Sequence, residues 1–355
     1  MKITLLGAGN SGLAMAAHLS QQGHEVTLWN RSRETIAQLI ETKTIHCEGM
    51  LTGSFSVELV TDNLEEAIEN PDAILITTPA NAHRELAELI GKQIKKSTVM
   101  VLNPGRTFGA LEFREIYGEH NQIYPQTIAE TQTIIYTCRK IAPDAVNIIA
   151  FKSDVLISTF DPKQNSSVIQ SLPQCLQPFL KPARSMVQTS IGNVGMVLHC
   201  APLLLNAGWT ENVHNTYKYY YDGITPSVGR LLEKIDGERV EVSRRLGHEV
   251  ETTVEWLRRS YGVEGDSLFA AIQSNEAYKY IDAPSQLDHR YILEDIPYGL
   301  VPLEAVGHEL GLAMNDTGLI IDLASSIMEL DFRAMGRSIK DYRFLLDPKG
   351  EVHHG

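Results

Sequence analysis

The fold is decided by residues 2–14, which read Lys2-Ile-Thr-Leu-Leu-Gly7-Ala-Gly9-Asn-Ser-Gly12-Leu-Ala14. This run predicts a buried strand that passes through a glycine turn into a helix. In a dinucleotide-binding turn the first glycine permits the tight bend, the second lets the backbone approach a pyrophosphate, and the third lets the helix pack closely on the strand. A purely structural glycine turn is the alternative, but a second strand at residues 25–29 follows as a nucleotide-binding unit requires. We therefore expect a nucleotide to contact Gly7, Ala8, Gly9, Asn10, Ser11 and Gly12.

The residues after the second strand bear on the choice of cofactor. NAD-binding folds commonly place an acidic residue there to bind the ribose 2'-hydroxyl, whereas this chain has Asn30, Arg31, Ser32 and Arg33. Guanidinium groups suit a 2'-phosphate because they present a fork of donors to anionic oxygens. We expect Asn30, Arg31 and Arg33 to contact the cofactor, with NADP(H) preferred and NAD(H) as the second option. The alternative is that both arginines are solvated and that Ser32 caps the next helix.

Strands and helices continue to alternate through the first part of the chain. The pattern predicts a helix at residues 33–41, a strand at 73–78, a helix at 84–94 and a strand at 98–102. Such alternation is typical of an α/β fold, here a Rossmann-type doubly wound parallel sheet. Ligands of these sheets lie beyond the carboxyl ends of the strands. Further cofactor contacts are therefore expected from Thr78, Pro79, Asn103 and Gly105.

The remaining sequence predicts where the sheet domain ends. The segment that contains Gly49 and Gly53 has no regular pattern, and further strands are expected near residues 133–137, 146–151 and 155–160. From about residue 183 the pattern becomes helical, and its clearest helix begins at Thr225-Pro226 and ends at Gly247. We expect a dinucleotide-binding domain at 1–182 and an all-helical substrate and catalytic domain at 183–355, with the active site in the cleft between them.

Composition restricts the classes of function. A chain of 355 residues exceeds the usual size of a single core, and a net charge of -13 disfavours both nucleic acid and anionic lipid as partners. Four widely spaced cysteines without a Cys-x-x-Cys pair are typical of reduced intracellular thiols, and they predict no metal site. The chain shows no leader and no apolar run of membrane-spanning length, so we expect a cytoplasmic protein without membrane attachment.

A single imidazole stands in the segment that opens the helical domain. Residues 190–206 are small and apolar apart from Asn193 and His199. A lone histidine on an apolar helix is commonly a core residue bound to a backbone carbonyl. Beside a dinucleotide domain, however, an imidazole that titrates near neutrality suits the proton transfer that accompanies hydride transfer.

Four runs give the chain a resemblance to a known family. Residues 103–113, 199–207, 219–228 and 290–302 resemble the opine dehydrogenases of the octopine/nopaline group, and the resemblance covers nearly the whole chain. It implies an NAD(P)H-dependent reductive condensation of an amino acid with a 2-oxo acid, commonly pyruvate, through an imine to a secondary-amine dicarboxylate. The implied partners are those two small molecules, and a homodimer is left open.

The resemblance also implies roles for particular residues. His199 matches the catalytic histidine, Asp295 matches the aspartate that pairs with it, and Arg290 matches the position that holds the 2-oxo acid carboxylate. The chain departs from some relatives at Cys200, where they carry proline, and at Arg106, where they carry a small residue. Arg106 either adds positive charge near a cofactor phosphate or substrate carboxylate, or faces solvent.

Two other functions compete with this interpretation. A ketopantoate-type or other 2-oxo acid reductase would use no amine, but ketopantoate-type enzymes use a lysine as the acid, and no lysine occurs between Lys181 and Lys218. A non-catalytic NADP-binding sensor would not need His199, Asp295 and Arg290 together. The amino acid, the 2-oxo acid, the product stereochemistry and the roles of Arg106 and the tyrosines at 217–221 are left open by the sequence.

Overall fold

The structure of the protein is a computed structural model, and it describes residues 1–346. The chain divides into two compact units, Met1–Ser190 and a second that begins at Ile191. This division lies a few residues after the expected one at 182/183. Residues 347–355 of the expected helical domain lie outside the described part of the chain.

Unit 1 contains twelve strands and seven helices among its 190 residues. The strands are β1 (Lys2–Leu6), β2 (Glu25–Trp29), β3 (Thr44–Gly49), β4 (Gly53–Ser56), β5 (Leu59–Thr61), β6 (Ala73–Ile76), β7 (Val99–Leu102), β8 (Thr127–Thr131), β9 (Tyr136–Ala142), β10 (Ala145–Phe151), β11 (Val155–Thr159) and β12 (Leu180–Pro182). The helices are α1 (Asn10–Gln21), α2 (Arg33–Thr42), α3 (Leu64–Ala67), α4 (His83–Gln93), α5 (Gly109–His120), α6 (Asn165–Ser171) and α7 (Met186–Ser190).

The main sheet confirms the expected Rossmann-type architecture. Its eight strands lie in the order β12-β11-β8-β7-β6-β1-β2-β5, and the central strands from β8 to β5 pair in parallel. Only β11 runs antiparallel to its neighbour β8. Strand β1 lies between β2 and β6, so the chain crosses from one half of the sheet to the other after β5. Ligands of doubly wound sheets bind at this reversal of strand order.

Alternating side chains of β1 pack on the two faces of the sheet. Leu5 belongs to the core formed with α1 and α2, whereas Leu6 belongs to the core formed with α4 and α5. Successive residues of a strand point to opposite faces, so both faces of a strand need apolar residues when helices cover both. Leu5 and Leu6 are both fully buried, which explains the continuous apolar run of the sequence.

A second sheet of unit 1 corrects one expectation. The segment around Gly49 and Gly53, expected to be irregular, forms β3, β4 and β5. Strands β3 and β4 join β10 and β9 in a four-stranded sheet of order β4-β3-β10-β9 that packs on α1. The strand expected at 133–137 begins only at Tyr136 and continues to Ala142. Only Ile45 and Cys47 are buried in β3, so its sequence is too polar to be recognised as a strand.

Unit 2 is helical, as expected. Its helices are α8 (Gly195–Leu205), α9 (Ala207–Thr210), α10 (Pro226–Arg245), α11 (Thr253–Tyr261), α12 (Leu268–Gln273), α13 (Arg290–Leu293), α14 (Val301–Glu309), α15 (Asn315–Met328) and α16 (Phe332–Met335), with a π-helical segment at Ile296–Leu300. Among the described residues, no helix has both the length and the apolar character needed to cross a bilayer.

Helix α10 confirms the predicted start and organises unit 2. The Thr225 hydroxyl accepts a hydrogen bond from the Val228 N–H, and proline occupies the first helical position. Arg239 of this helix is fully buried. Its guanidinium pairs with Asp236 at 2.8 Å and donates to the carbonyl of Ile191 at 2.8 Å. Asp236 also accepts hydrogen bonds from the backbone and hydroxyl of Thr253, so this ion pair joins three segments of unit 2.

Replacing Arg239 with methionine tests the importance of this ion pair. Arg239→Met leaves the buried Asp236 carboxylate without its cation, and we expect a loss of about 3–5 kcal/mol of unfolding free energy. Arg244→Met, on an exposed side chain of the same helix, is the control and should change stability by less than about 0.5 kcal/mol. Urea denaturation of the three proteins measures the difference. Equal midpoints would show that the ion pair is dispensable.

Candidate active site

The glycine turn after β1 has the geometry of a close strand-to-helix junction. Gly7 has φ +115°, a conformation that favours glycine, and its N–H donates to the carbonyl of Trp29 at 2.8 Å. A methyl group on Gly12 would lie 1.8 Å from the Gly7 carbonyl oxygen. Gly12 therefore lets α1 begin directly above the turn, with its first N–H groups available to an anion.

The same turn leaves space where a dinucleotide phosphate requires it. A methyl group on Gly9 would meet nothing within 4 Å, in contrast to Gly12. The buried hydroxyl of Thr78, whose methyl group faces Gly7, has no hydrogen-bond partner among residues 1–346. An open backbone and an unsatisfied buried hydroxyl beside a helix N-terminus fit a bound dinucleotide.

The three candidate residues after β2 all make contacts within unit 1. The Asn30 side chain accepts a hydrogen bond from the Ala8 N–H at 3.2 Å and donates to the Ser32 carbonyl at 3.1 Å, which connects the end of β2 to the glycine turn. Arg31 forms an ion pair with Glu85, and Arg33 pairs with Asp62 at 2.9 Å. Both guanidiniums are about 70% exposed, so solvent screens these pairs. Ser32 caps α2, as the alternative interpretation expected.

The other predicted cofactor residues follow β6 and β7. Pro79 is exposed, whereas Asn103 is buried and donates from its side chain to the Val101 carbonyl at 2.8 Å. Gly105 packs so closely on Glu130 that a methyl group would lie 2.1 Å from the Glu130 carboxylate. Parallel pairing of β1, β6 and β7 brings their carboxyl ends to one edge of the sheet.

Glu130 is a fully buried carboxylate for which the sequence suggested no role. Its two oxygens accept hydrogen bonds from the Thr189 hydroxyl at 2.8 Å, from the Ser190 hydroxyl and from the Ala110 N–H at 3.0 Å. These bonds join β8 to α5 and α7. Because a buried carboxylate requires such donors, Glu130 stabilises the segment that surrounds Gly105.

Lys140 is a second contact that the sequence did not reveal. It lies on β9 of the smaller sheet, where its backbone N–H donates to the Asn10 side chain at 2.8 Å. Its ammonium donates to the Ala8 carbonyl at 3.3 Å, and burial lowers the pKa of this lysine. Lys140 therefore brings positive charge to the glycine turn from 130 residues away in the sequence.

Helix α8 of unit 2 carries His199, and a proline determines its local structure. Pro202 has no N–H to donate to the Leu198 carbonyl four residues before it. The hydroxyl of the fully buried Tyr219 instead donates to the His199 carbonyl and approaches the Leu198 carbonyl at 3.5 Å. The helix nevertheless continues through Cys200, where some relatives carry proline.

The imidazole of His199 is hydrogen-bonded to the carboxylate of Asp295. His199 Nδ1 lies 2.8 Å from Asp295 Oδ2, although the two residues are 96 positions apart. Asp295 is almost fully buried, whereas the His199 side chain retains 19% of its accessible surface. An ionised carboxylate only accepts hydrogen bonds, so Nδ1 carries a proton and Nε2 is the ring nitrogen that remains for other partners.

Two aromatic side chains that the sequence did not assign to the site lie on one side of the imidazole, Tyr291 against its ring and His289 against Tyr291. The Tyr291 ring stacks on the His199 ring with centroids 4.0 Å apart, and the His289 ring contacts Tyr291 edge-on at 4.5 Å. His289 Nδ1 accepts a hydrogen bond from the Tyr291 N–H at 3.3 Å. Burial, followed by the positive charges of Arg290 and His199, lowers the pKa of His289, so this imidazole remains a neutral acceptor near pH 7.

Arg290 lies five residues before Asp295 at the start of α13. Its backbone carbonyl accepts a hydrogen bond from the Asp295 N–H at 3.2 Å. Its guanidinium is about half exposed and lies 3.2 Å from the Glu294 carboxylate, a weak pair in water.

Gly195 adjoins the His199 ring at the start of α8, and the Asn193 side chain adjoins Gly195. A methyl group on Gly195 would lie 3.2 Å from His199 Cε1 and 3.1 Å from Asn193 Oδ1, and this oxygen accepts a hydrogen bond from the Gly195 N–H. The Asn193 amide nitrogen is buried and has no hydrogen-bond partner within the described part of the chain. This side-chain donor is therefore a further polar group next to Gly195, the residue that adjoins the imidazole.

Two family models match the two parts of the chain. The model described as NAD/NADP octopine/nopaline dehydrogenase, alpha-helical domain, matches residues 182–328. The model described as NAD-dependent glycerol-3-phosphate dehydrogenase N-terminus matches residues 2–104.

Similar proteins match over nearly the full length. The chain is 35% identical to an opine dehydrogenase of Arthrobacter sp. (strain 1C) over 95% of this chain and 93% of the relative. It is 24% identical to a vitopine synthase of Allorhizobium ampelinum, over 95% and 94% of the two chains. Among solved structures, octopine dehydrogenase with NADH and L-arginine matches with a TM-score of 0.79 and 19% identity, over 98% of this chain and 96% of that chain. Yersinopine dehydrogenase with NADP⁺ matches with a TM-score of 0.78 and 15% identity over the same shares.

Alanine at the second and third glycines tests the geometry of the turn. Gly12→Ala places a methyl group against the Gly7 carbonyl, and we expect it to destabilise unit 1 by about 1–3 kcal/mol. Gly9→Ala should leave the unfolding temperature within about 2 °C of wild type, because its methyl group would contact no other protein atom. It should weaken NADPH binding, because the methyl group would occupy space that the pyrophosphate needs. Thermal unfolding and NADPH fluorescence titration separate the two effects. Unchanged NADPH affinity in Gly9→Ala would contradict a phosphate site at this turn.

Proposed function

The chain belongs to the opine dehydrogenase family. From this premise we propose that it catalyses an NAD(P)H-dependent reductive condensation, for which unit 1 binds the cofactor and unit 2 supplies the residues that bind substrate and transfer a proton. The reaction joins the amino group of an amino acid to a 2-oxo acid, with pyruvate as the expected acceptor, and reduces the resulting imine to a secondary amine. It is the chemistry of an oxidoreductase that acts on CH–NH donors. The observation that carries the proposal is the hydrogen bond between His199 and the buried Asp295.

The glycine turn of unit 1 is the proposed site of the nicotinamide cofactor. Backbone N–H groups at the start of α1 would hold the pyrophosphate. Further contacts with the cofactor are proposed for four residues that follow the neighbouring strands β6 and β7, namely Thr78, Pro79, Asn103 and Gly105. When bound, the cofactor supplies the hydride. Unit 1 orients it by a backbone that Gly7 and Gly12 keep close to the strand.

His199 is the proposed proton-transfer group. Asp295 accepts the hydrogen bond from Nδ1–H whether the ring is neutral or protonated, so Nε2 is the atom that gains or loses a proton. A proton delivered from Nε2 would assist loss of water as the imine forms and would balance charge as the nitrogen becomes an amine. Tyr291 stacks on the ring and restricts its rotation, so the direction of Nε2 is fixed before substrate arrives.

Arg290 is the proposed partner of the 2-oxo acid carboxylate. Its guanidinium presents two parallel donors that match a carboxylate. The carbonyl of the same residue accepts the Asp295 N–H, so binding at Arg290 and proton transfer at His199 depend on one short helix. Because its ion pair with Glu294 is weak and the guanidinium is about half exposed, a substrate carboxylate could replace Glu294 as its partner.

NADP(H) is the proposed preferred form of the cofactor. Asn30 stands where an NAD-specific fold commonly has a carboxylate, and its amide is bound to Ala8 and Ser32. Arg31 and Arg33 follow Asn30 and form ion pairs that solvent screens. A 2'-phosphate with about two negative charges would compete with the carboxylates of these pairs for the two guanidiniums.

A spectrophotometric panel tests the proposed activity. Purified full-length protein is incubated with NADPH and pyruvate, amino acids are added group by group, and NADH is run in parallel with a control that contains no amine. We expect oxidation of NADPH only when pyruvate and an amino acid are both present. Oxidation with pyruvate alone would instead indicate a simple 2-oxo acid reductase. Silence in all groups, with NADPH binding intact, would contradict the proposal for pyruvate and the tested amines.

Substitutions in the His199–Asp295 pair test the proposed proton transfer. His199→Asn should lower kcat by about 10²–10⁴-fold, because it removes the group that transfers the proton, while the Kd of NADPH stays within twofold of wild type. Asp295→Asn should also lower kcat, because its amide can donate to the ring and reverse the protonation of the two nitrogens. His214→Asn, at an exposed position of unit 2, is the control. Normal turnover in His199→Asn would show that another group transfers the proton.

Removal of the two arginines after β2 tests the proposed cofactor preference. We expect the double variant Arg31→Ala/Arg33→Ala to raise the KM of NADPH by about tenfold or more and to change the KM of NADH by less than about threefold, since only NADPH carries the 2'-phosphate. Arg230→Ala, an exposed arginine of unit 2, controls for the loss of positive charge. An equal rise of both KM values would contradict a 2'-phosphate site at these residues.

A further inference from the structure

The smaller sheet of unit 1 places one side of strand β9 along helix α1. In the second half of the helix, His18 Nδ1 lies 3.0 Å from the Tyr136 hydroxyl. At the first residue of the helix, the Asn10 side chain accepts a hydrogen bond from the Lys140 N–H at 2.8 Å. Side chains alternate along a strand, so Lys140 shares the helix-facing side with Tyr136, whereas Arg139 is exposed on the other side. Strand β9 therefore brings Lys140 to the end of α1 at which anions bind.

The ammonium of Lys140 contacts the glycine turn directly. It donates a hydrogen bond to the Ala8 carbonyl at 3.3 Å, and Ala8 lies between the first two glycines of the turn. The neighbouring Gly9 leaves open space, since a methyl group there would meet no atom within 4 Å. An ammonium has three N–H donors, and the Ala8 carbonyl uses one of them. The other donors remain for a ligand at this turn.

The Lys140 ammonium forms no ion pair with a carboxylate of residues 1–346. Asp144 is the acidic residue whose charge acts on it, and this carboxylate has other partners. It accepts a hydrogen bond from the Gln38 side chain at 2.6 Å and lies 3.9 Å from His46 Nε2. Burial lowers the pKa of Lys140 more than the charge of Asp144 raises it. An anion bound at the turn would stabilise the charged form that burial disfavours.

The start of α1 also favours an anion beside Lys140. Gly9 precedes the helix and has no side chain to cap it, and the first turn of the helix contains no acidic residue. The first N–H groups of a helix have no partners within the helix and carry partial positive charge. Because Ala8 lies two residues before the first helical residue, these N–H groups and the Lys140 ammonium meet at the same turn.

We propose that Lys140 binds the diphosphate of the nicotinamide cofactor, so that the smaller sheet completes a phosphate site formed by the glycine turn. The inference rests on the proposed function and deepens it, because it assigns to the cofactor a residue outside the strands and helices of the main sheet. Both NADPH and NADH carry the diphosphate, whereas the contacts proposed for Arg31 and Arg33 require the 2'-phosphate of NADPH. Lys140 therefore strengthens the binding of both cofactors.

Three variants of the full-length protein test this role of Lys140. Lys140→Gln removes the charge and keeps a donor for the Ala8 carbonyl, and Lys140→Arg keeps the charge. Arg139→Gln, on the exposed side of the same strand, is the matched control for the loss of one positive charge. For each protein, fluorescence titration measures the Kd of NADPH and of NADH, and thermal unfolding without cofactor compares the stability of the folded proteins.

We expect Lys140→Gln to raise the Kd of NADPH and of NADH by about tenfold or more, because a charge-assisted hydrogen bond to phosphate is lost. Lys140→Arg should stay within about threefold of wild type and Arg139→Gln within about twofold, because both keep a cation at position 140. Unchanged Kd values in Lys140→Gln, or an equal rise in Arg139→Gln, would overturn the proposal. A rise for NADPH alone would also overturn it, because Lys140 would then bind the 2'-phosphate.

The salt dependence of binding separates loss of charge from damage to the turn. Added NaCl screens a cation that binds phosphate, so the Kd of NADPH should rise less steeply with salt in Lys140→Gln than in Arg139→Gln. This comparison remains valid if Lys140→Gln also lowers the unfolding temperature. Parallel salt dependence in the two variants would show that Lys140 acts on the structure of the turn alone, and would overturn the proposal.

These measurements also separate failure of this inference from failure of the proposed function. Binding is measured without substrates, so a protein that binds NADPH but oxidises none with any substrate pair would disprove the reductive condensation and still test Lys140. Normal NADPH binding and turnover in Lys140→Gln would overturn this inference alone. Absence of NADPH and NADH binding to the wild-type protein would overturn both.

Discussion

The hydrogen bond between His199 and Asp295 is the interaction on which the proposed chemistry depends. It joins α8 to the residue before the π-helical segment over a distance of 2.8 Å. Because Asp295 is almost fully buried, the bond is shielded from solvent. A buried carboxylate is costly without such a partner, so the same bond contributes to the packing of unit 2. A ligand can then reach this pair only at the part of the imidazole that remains exposed.

Several structural features of unit 2 serve to fix that imidazole. Pro202 has no N–H to donate to the Leu198 carbonyl one turn earlier. The Tyr219 hydroxyl, from a different segment, approaches this carbonyl and donates to the His199 carbonyl. Tyr291 covers one face of the His199 ring, and glycine at position 195 leaves room beside it. The backbone before α8 is held by the buried Arg239, which donates to the Ile191 carbonyl. If His199 is the proton donor, as proposed, an imidazole fixed in this way needs little reorganisation when substrate binds.

The features that sequence analysis predicted correctly are local ones. The βαβ unit and the start of α10 depend on residues within one turn of each other, so glycine spacing and the Thr225-Pro226 cap identify them. The second sheet was missed because β3 has only two buried residues and depends on pairing with β10, about one hundred residues later. Lys140 and Tyr291 were missed for a similar reason, since their contacts with Ala8 and His199 join distant positions. The resemblance supplied the assignment of Asp295 to His199, which spacing alone does not provide.

The most direct test of the account is identification of the product. Wild-type protein is incubated with NADPH, pyruvate and a ¹⁵N-labelled mixture of amino acids, and the products are analysed by mass spectrometry beside those of the His199→Asn variant. An opine dehydrogenase that uses His199 for proton transfer will form a product that contains the ¹⁵N amine and the three carbons of pyruvate. One equivalent of NADPH will be oxidised for each product formed, and the amount of product will be strongly reduced in the variant. Lactate without any nitrogen-containing product, or equal product in both proteins, would contradict it.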